Sequence, residues 1–424
     1  MVNQSEAHQK AILVGVQTGS DAPWEVEESL AELAELTRTA GGQVVESITQ
    51  TRSVPDSACF IGKGKAATVA SLVDEFEADI VVFDCELSPA QQRNLEKMVD
   101  CKVVDRTQLI LDIFAQRAET REGKIQVELA QLDYLLPRLT GRGVTMSRLG
   151  GGIGTRHGGG EQKLEVDRRR IKDRIAKLRR GLDSIRRHRD VQRKRRVSRA
   201  VANVAIVGYT NAGKSSLLNA IADAHAFVED KLFATLDPRS RRAKLPNEQV
   251  VVFTDTVGFI RKLPHSLVAA FRATLEEVTH ADVVLLVVDS SHQYFEDHMR
   301  VAKQVLGELG AADKPVITAF NKIDLLPHPD VAAHFVERAP GSVAVSALTG
   351  ENIENLLGLV ASTLSSRREI VELEIPQGRG EVAALVQQKG RVLDTRYEDG
   401  NIVITAELEK PLAAKLRDFV KERP

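Results

Sequence analysis

The chain has 424 residues, 43% of them apolar and 28% charged, a composition ordinary for soluble globular protein and a length that predicts about two to four domains. No apolar run approaches the about 18 uncharged residues of a membrane-spanning helix, and the N-terminus lacks a basic-then-apolar leader, so a cytoplasmic enzyme without stable membrane insertion is expected. The formal net charge of −1 hides a polarised chain: residues 136–200 hold 21 Lys and Arg against 6 Asp and Glu, a footprint for a polyanion such as nucleic acid unless it is only a solvated helix face.

Residues 1–110 alternate strand-like and helix-like stretches. Ile12–Val16, Gln43–Val45, Ile80–Phe83 and Lys102–Val104 read as strands, and 24–39, 66–76 and 90–99 read as helices. An open N-terminal α/β domain is expected. Cys59, Cys85 and Cys101 have no metal-ligand spacing and are expected to be buried free thiols.

The pattern becomes helical from about Gln108, and residues 111–199 read as a helical hairpin. Ile125, Leu129, Leu132, Leu136 and Leu139 repeat at steps of 4 and 3, and Leu164, Ile171, Ile175, Leu178, Leu182 and Ile185 form a second stripe. The two stripes predict a long antiparallel helical hairpin, with Pro137 bending or ending the first arm. Its tip, residues 141–160, is rich in glycine and carries Arg142, Arg148 and Arg156, candidate RNA-binding residues if the tip is more than a flexible linker.

The next segment carries the chemistry. Val204–Val207 reads as a buried strand, Ser216–Ile221 as a helix, and between them stands Gly208-Tyr209-Thr210-Asn211-Ala212-Gly213-Lys214-Ser215. Such a loop turns backbone N–H groups and a helix N-terminus toward one phosphate, with Lys214 for the β- and γ-phosphates and the Ser215 hydroxyl for Mg²⁺. Four further stations follow in residues 200–366. Phe233-Ala234-Thr235-Leu236-Asp237 offers Thr235 as a switch threonine and Mg²⁺ ligand. Asp255-Thr256-Val257-Gly258 offers a carboxylate that holds Mg²⁺ through water and an N–H for the γ-phosphate. In Asn321-Lys322-Ile323-Asp324, the Asp324 carboxylate matches guanine N1–H and N2–H₂, donors that adenine lacks; Asn321 suits N7, and the Lys322 stem covers the base. Ser346-Ala347 would meet guanine O6 through backbone N–H. GTP and GDP with Mg²⁺ are the expected ligands. Phe259 stands where many GTPases place a water-orienting glutamine, so hydrolysis is expected to be slow alone and faster with a partner. Strand-like runs at 250–253, 283–288, 316–320 and 343–345 complete a mostly parallel sheet. Residues 367–424 read as a small α+β domain, with a strand at 370–375, a hairpin turning at 399–401 and a final helix from Pro411 to Val420.

Taken together, Ile61-Gly62-Lys63-Gly64-Lys65, Leu135-Leu136-Pro137-Arg138-Leu139, Leu164-Glu165-Val166-Asp167-Arg168-Arg169 and Thr254-Asp255-Thr256-Val257-Gly258-Phe259-Ile260 resemble the HflX family of bacterial ribosome-associated GTPases over nearly the whole chain. The family's apolar residue after Asp-x-x-Gly matches Phe259, whereas Gly158-Gly159-Gly160-Glu161-Gln162-Lys163 departs from the family's proline-containing tip. The resemblance implies a monomer that binds the 50S subunit, inserts its hairpin tip beside the rRNA near the peptidyl-transferase centre, and splits stalled ribosomes under heat or other stress. A GTP-dependent RNA-binding assembly factor or chaperone is the alternative. The family's N-terminal domain is also associated with ATP use; Gly62–Lys65 could bind an anion or simply open a helix.

Overall fold

The computed structural model describes residues 9–19, 22–139, 160–197, 201–222, 239–262, 277–366, 368–398 and 400–421. Arg142, Arg148, Arg156 and the segment Phe233–Asp237 lie outside the described residues. Two compact units divide the chain, one of residues 1–185, 229–237 and 260–273 and one of residues 186–228, 238–259 and 274–424.

In the first unit, β1 (Gln9–Gln17), β2 (Gly42–Thr51), β3 (Ile80–Phe83) and β4 (Lys102–Asp105) form a parallel sheet in the order β2-β1-β3-β4. They alternate with α1 (Pro23–Thr39), α2 (Lys63–Phe76) and α3 (Pro89–Val99), and α4 (Arg106–Arg117) follows β4. Period-two alternation puts Ile12, Val14, Val81, Phe83 and Val103 on one face, where they pack on Ala66 and Val69 of α2 and Leu95 and Val99 of α3. The sequence Ser88-Pro89 starts α3: the Ser88 hydroxyl accepts from Gln91 N–H at 3.2 Å, and the Gln91 side chain accepts from Ser88 N–H at 3.0 Å. Lys63, Gly64 and Lys65 form the first turn of α2 rather than a loop before it. Cys59 is buried, Cys85 and Cys101 are half-buried, and all three are free thiols.

The helical region is not continuous from Gln108. It breaks at Ala118–Thr120, because the Thr120 hydroxyl accepts from Gly123 N–H at 2.9 Å and so caps a new helix, α5 (Arg121–Leu135). Leu129 of α5 buries itself against Ile175 and Leu178 of α6 (Gly160–Val197), with Ile125, Leu132, Leu136, Ile171 and Leu182 around them. Arg174 adds a bidentate pair to Glu128 at 2.6 and 2.7 Å. The α-helix stops at Leu135, and a 3₁₀ turn over Leu136–Arg138 contains Pro137. Arg138 anchors that turn: it donates to Leu87 O at 2.6 Å and to Asp105 Oδ2 at 3.2 Å, and it lies 3.5 Å from the Tyr134 ring centroid. Asp105 also caps α4 through Gln108 N–H at 2.8 Å and accepts from Leu87 N–H at 3.1 Å.

The second unit holds a six-stranded sheet, β10-β9-β8-β5-β7-β6, made of β5 (Ala202–Gly208), β6 (Arg239–Lys244), β7 (Val250–Asp255), β8 (Val283–Asp289), β9 (Val316–Asn321) and β10 (Ser342–Ala344). Every pairing is parallel except β6 on β7. The sheet packs on α7 (Lys214–Ile221) and α10 (Ile353–Ser366), with α8 (Phe295–Glu308) and α9 (Pro329–Arg338) between the strands in sequence. A smaller antiparallel sheet, β11-β13-β12, follows: β11 (Arg368–Pro376), β12 (Arg391–Glu398) and β13 (Asn401–Glu409), covered by α11 (Gly380–Lys389). The expected final helix divides into α12 (Lys410–Lys415) and a 3₁₀ turn at Arg417–Phe419. Backbone pairing of Val420 with Leu373, and of Lys421 N–H with Glu372 O at 2.8 Å, draws the chain back onto the sheet and ends the helix early. Among the described residues no helix is long and apolar enough to cross a membrane.

A buried charge cluster consolidates the first unit. Asp84 accepts from Arg106 Nη1 at 2.6 Å, Lys262 Nζ at 2.6 Å and Ser29 Oγ at 2.6 Å, and Arg106 also pairs with Glu32 at 3.0 Å. Burial pushes the Asp84 carboxyl up, but the neighbouring Arg106 and Lys262 charges outweigh it and leave the group below its ordinary value of 3.8. A depressed folded-state value stabilises the fold above the unfolded pKa, and that contribution fades as pH falls through the folded value. Asp84→Asn is expected to cost about 3–5 kcal/mol near neutral pH by stripping buried Arg106 of a counter-charge. Urea unfolding followed by Trp24, the single tryptophan, should show this loss, and the gap to the parent should narrow as the pH is taken below 3.8.

Candidate functional site

The phosphate-loop sequence sits where β5 gives way to α7. Lys214 opens that helix and is buried. Its Nζ donates to Tyr209 O at 2.7 Å. Burial lowers its pKa to about 8, and the Asp255 charge acts in the opposite direction. The Tyr209 ring stacks on His298 of α8 with centroids 3.9 Å apart, fixing the outer side of the loop. Gly213 has a left-handed backbone, φ +88°, and a Cβ there would lie 2.3 Å from Asn321 Nδ2.

Asp255 ends β7 wholly buried, and its Oδ2 accepts from Ser215 Oγ at 2.7 Å. A hydroxyl and a carboxylate in contact make a hard oxygen donor pair, which suits Mg²⁺ better than a softer metal. Thr256 is spent on structure, its N–H and hydroxyl both donating to Ile206 O. Past Val257 and Gly258 the chain pairs with the phosphate loop: Phe259 N–H donates to Gly208 O at 3.0 Å, and Thr210 N–H donates to Phe259 O at 2.7 Å. The Phe259 side chain is buried, so it is a pin in the core rather than a group presented to a ligand. A Cβ on Gly258 would lie 2.9 Å from Thr210 Cγ2 and 3.0 Å from Lys214 Nζ, so Gly258, Thr210 and Lys214 converge on one point. The Thr210 hydroxyl there is buried and makes no hydrogen bond among the described residues.

The third wall begins where β9 ends. Asn321 Nδ2 donates to Ala212 O at 2.9 Å, and Asn321 Oδ1 accepts from Ala347 N–H at 2.9 Å. Lys322, at φ +67°, pairs with Asp289 at 2.7 Å. Ile323 begins a short 3₁₀ turn that presents Asp324, whose Oδ1 accepts from Ser346 Oγ at 2.5 Å. Ser346 Oγ in turn accepts from Thr349 N–H at 3.1 Å. The Ser346 N–H donates to Glu351 O at 3.2 Å. Neither backbone N–H of Ser346-Ala347 is therefore idle, and an arriving carbonyl acceptor would have to share that of Ala347.

The structure thus gathers Gly208–Ser216, Asp255–Gly258, Asn321–Asp324 and Ser346-Ala347 around the ends of β5, β7 and β9. Two supporting residues escaped the sequence reading. Ser290 donates both its N–H, at 3.0 Å, and its hydroxyl, at 2.7 Å, to Asn321 O, and Asp289 holds Lys322. Their only signal was an Asp-Ser pair closing a buried strand.

Four family models match in succession: a GTP-binding GTPase N-terminal region over residues 27–115, a GTP-binding GTPase middle region over 117–196, a 50S ribosome-binding GTPase over 203–322, and an HflX C-terminal domain over 333–420. A protein named GTPase HflX from Lacrimispora saccharolytica is 46% identical over 99% of this chain and 98% of its own length. One of the same name from Escherichia coli K12 is 40% identical over 95% and 94%. Among solved structures, a GTP-binding protein from Sulfolobus solfataricus in complex with GDP is 24% identical, covering 84% of this chain and 99% of that one at a TM-score of 0.43.

Gly213→Ala tests the joint between phosphate loop and Asn321. Left-handed strain plus the clash should destabilise the protein by about 2–3 kcal/mol. Amide exchange should quicken at Ala347, where Asn321 Oδ1 is the acceptor; protection equal to the parent's at that amide would show that Asn321 does not carry the joint.

Proposed function

The chain belongs to the HflX family of GTPases, and on that premise we propose that it is a GTP-hydrolysing factor that binds the large ribosomal subunit and splits stalled ribosomes. The observation that carries the nucleotide reading is Asn321, whose amide joins the phosphate loop at Ala212 to the Ser346-Ala347 loop. A nucleotide laid across this joint has its phosphates at Gly208–Ser216 and its base between Lys322, Asp324 and Ala347. Asp324, held by Ser346, accepts from guanine N1–H and N2–H₂. The second N–H of Asn321 Nδ2 is directed to N7, and the Ala347 N–H is shared between Asn321 and O6. Adenine offers neither the N1–H and N2–H₂ donors nor the O6 acceptor, so the Asp324 carboxylate and the Ala347 N–H would gain nothing from it.

Lys214 exchanges the Tyr209 carbonyl for the β- and γ-phosphates, and the added negative charge returns its depressed pKa toward the usual ammonium range. Ser215, Thr235 and, through water, Asp255 would be the residues that hold Mg²⁺, which would supply positive charge against the phosphate oxygens. Thr210, whose buried hydroxyl makes no hydrogen bond among the described residues, and Gly258, packed against Thr210 and Lys214, are the residues assigned to the γ-phosphate. Phe259, buried, orients no water, so a partner must order the loops or bring a polar group, and hydrolysis alone is slow.

The partner reading rests on the family and on charge. The 50S ribosome-binding GTPase model covers residues 203–322, and the basic segment 136–200 includes α6. Arg142, Arg148 and Arg156 contact rRNA near the peptidyl-transferase centre, and the bound nucleotide times engagement and release. The protein works as a cytoplasmic monomer, recruited by heat or other stress.

Asp324→Asn should weaken GTP binding at least about 100-fold while creating affinity for XTP, whose C2 carbonyl accepts from the new amide. Fluorescent-nucleotide titration reads both changes; unchanged GTP affinity would remove Asp324 from the base site. For the partner, 70S ribosomes incubated with the protein and GTP or a non-hydrolysable analogue should separate into subunits on a sucrose gradient. Intact 70S peaks together with crosslinking confined to free precursor rRNA would support an assembly role instead.

A further inference from the structure

The sheet of the second unit ends on an unusual strand. β6 has the sequence Arg239-Ser240-Arg241-Arg242-Ala243-Lys244, and every residue but Ala243 is exposed. Among the described residues it pairs with β7 alone and is the outer strand of the sheet, so one row of its backbone N–H and C=O groups has no described strand beside it. The register with β7 sorts its side chains. Arg241 stands opposite Phe253 and shares a face with Ala243, while Arg242 and Lys244 stand opposite Val252 and Val250 on the other. Cationic groups therefore rise on both sides of one open edge. Lys244 is paired with Glu248, but among the described residues Arg241 and Arg242 have no acidic partner. The opposite edge of the same sheet, β10 (Ser342–Ala344), carries no charged residue.

We propose that β6 is an RNA-docking edge on which Arg241 and Arg242 straddle the phosphate backbone of ribosomal RNA, a contact separate from the hairpin tip. The inference deepens the ribosome reading and rests on it. Strand geometry supports it: Arg241 and Arg242 are consecutive along β6 and so stand on opposite faces of the edge, one on each side of a backbone laid along it. Arginine is also the side chain best shaped for phosphate, offering a planar fork of donors that stays charged at every working pH. Such contacts position the protein without reading sequence, and they release counterions when made.

The experiment measures pelleting of the full chain with purified 50S subunits across a KCl series, comparing the parent, Arg241→Gln/Arg242→Gln and Arg241→Lys/Arg242→Lys. The glutamine variant should bind about 10-fold more weakly at moderate salt, and the slope of log affinity against log[KCl] should flatten by about 1.4 to 1.8, the loss of two phosphate contacts. The lysine variant should keep the parent's slope. Turnover of GTP without ribosomes should be the same in all three, since neither residue belongs to the nucleotide site. The same loss should appear on rRNA extracted from the 50S subunit; a loss restricted to intact subunits would assign the strand to an acidic ribosomal protein and overturn the proposal. Affinity and slope equal to the parent's would overturn it too, and new self-association of the glutamine variant would then identify the arginines as guards against edge-to-edge pairing. A parent that fails to pellet with 50S defeats the ribosome reading itself, and this inference with it.

Discussion

One side chain amide holds the three loops of the site in register. Asn321 reaches from the end of β9 to Ala212 of the phosphate loop with one atom and to Ala347 with the other, while Ser290 fixes its own carbonyl. Each such hydrogen bond contributes only about 1 kcal/mol net, yet the amide is buried, and losing a partner would expose the full desolvation cost of the group left behind. That asymmetry makes the joint stiff. It also explains why position 213 must be glycine: the amide occupies the space a Cβ would need, and the backbone there is already left-handed.

The same logic governs the other side of the loop. The two backbone hydrogen bonds between Phe259 and the residues Gly208 and Thr210 form a one-rung parallel bridge across the mouth of the phosphate loop. With its ring in the core, Phe259 makes the bridge rigid at the cost of any polar function at that position. A glutamine there would bring an amide into an apolar setting, where it would need partners the core does not offer. The structure therefore favours holding the segment over orienting water, and in the proposed function the missing polar contribution falls to a partner.

Much of this was legible in sequence because buried parallel strands are continuous apolar runs, and Val204–Val207, Val283–Val288 and Val316–Phe320 announce themselves. The motifs that begin at Gly208, Asp255 and Asn321 were legible for the same reason, since each of these residues ends a strand. What escaped depended on long-range partners. Arg239–Lys244 has no apolar alternation, and only pairing with β7 makes it a strand. The break at Ala118–Thr120 turns on a single capping hydroxyl within an unbroken helical pattern. The final helix yields to backbone pairing of Val420 and Lys421 with β11, an interaction invisible to local propensity. Arg138 looked like part of a motif of the hairpin; its hydrogen bonds to Leu87, Gln92 and Asp105, beside local contacts with the carbonyl and ring of Tyr134, are set by tertiary position.

Charge is sorted by depth as well as by sequence. Where cations are buried they are matched: Arg106 by Asp84 and Glu32, Arg138 by Asp105, and Lys214 by nearby Asp255, with its own pKa depressed to about 8. These groups hold shape or await a ligand whose charge completes the balance, and burial makes any mismatch costly. Exposed cations such as Arg241 and Arg242 incur no such penalty and add almost nothing to stability, for a solvated charge is screened within about 8–10 Å. Positive charge that the fold does not use is free to act outside it. A net charge of −1 can therefore belong to a molecule that is firmly cationic along chosen edges, and the distribution rather than the sum decides what it can bind.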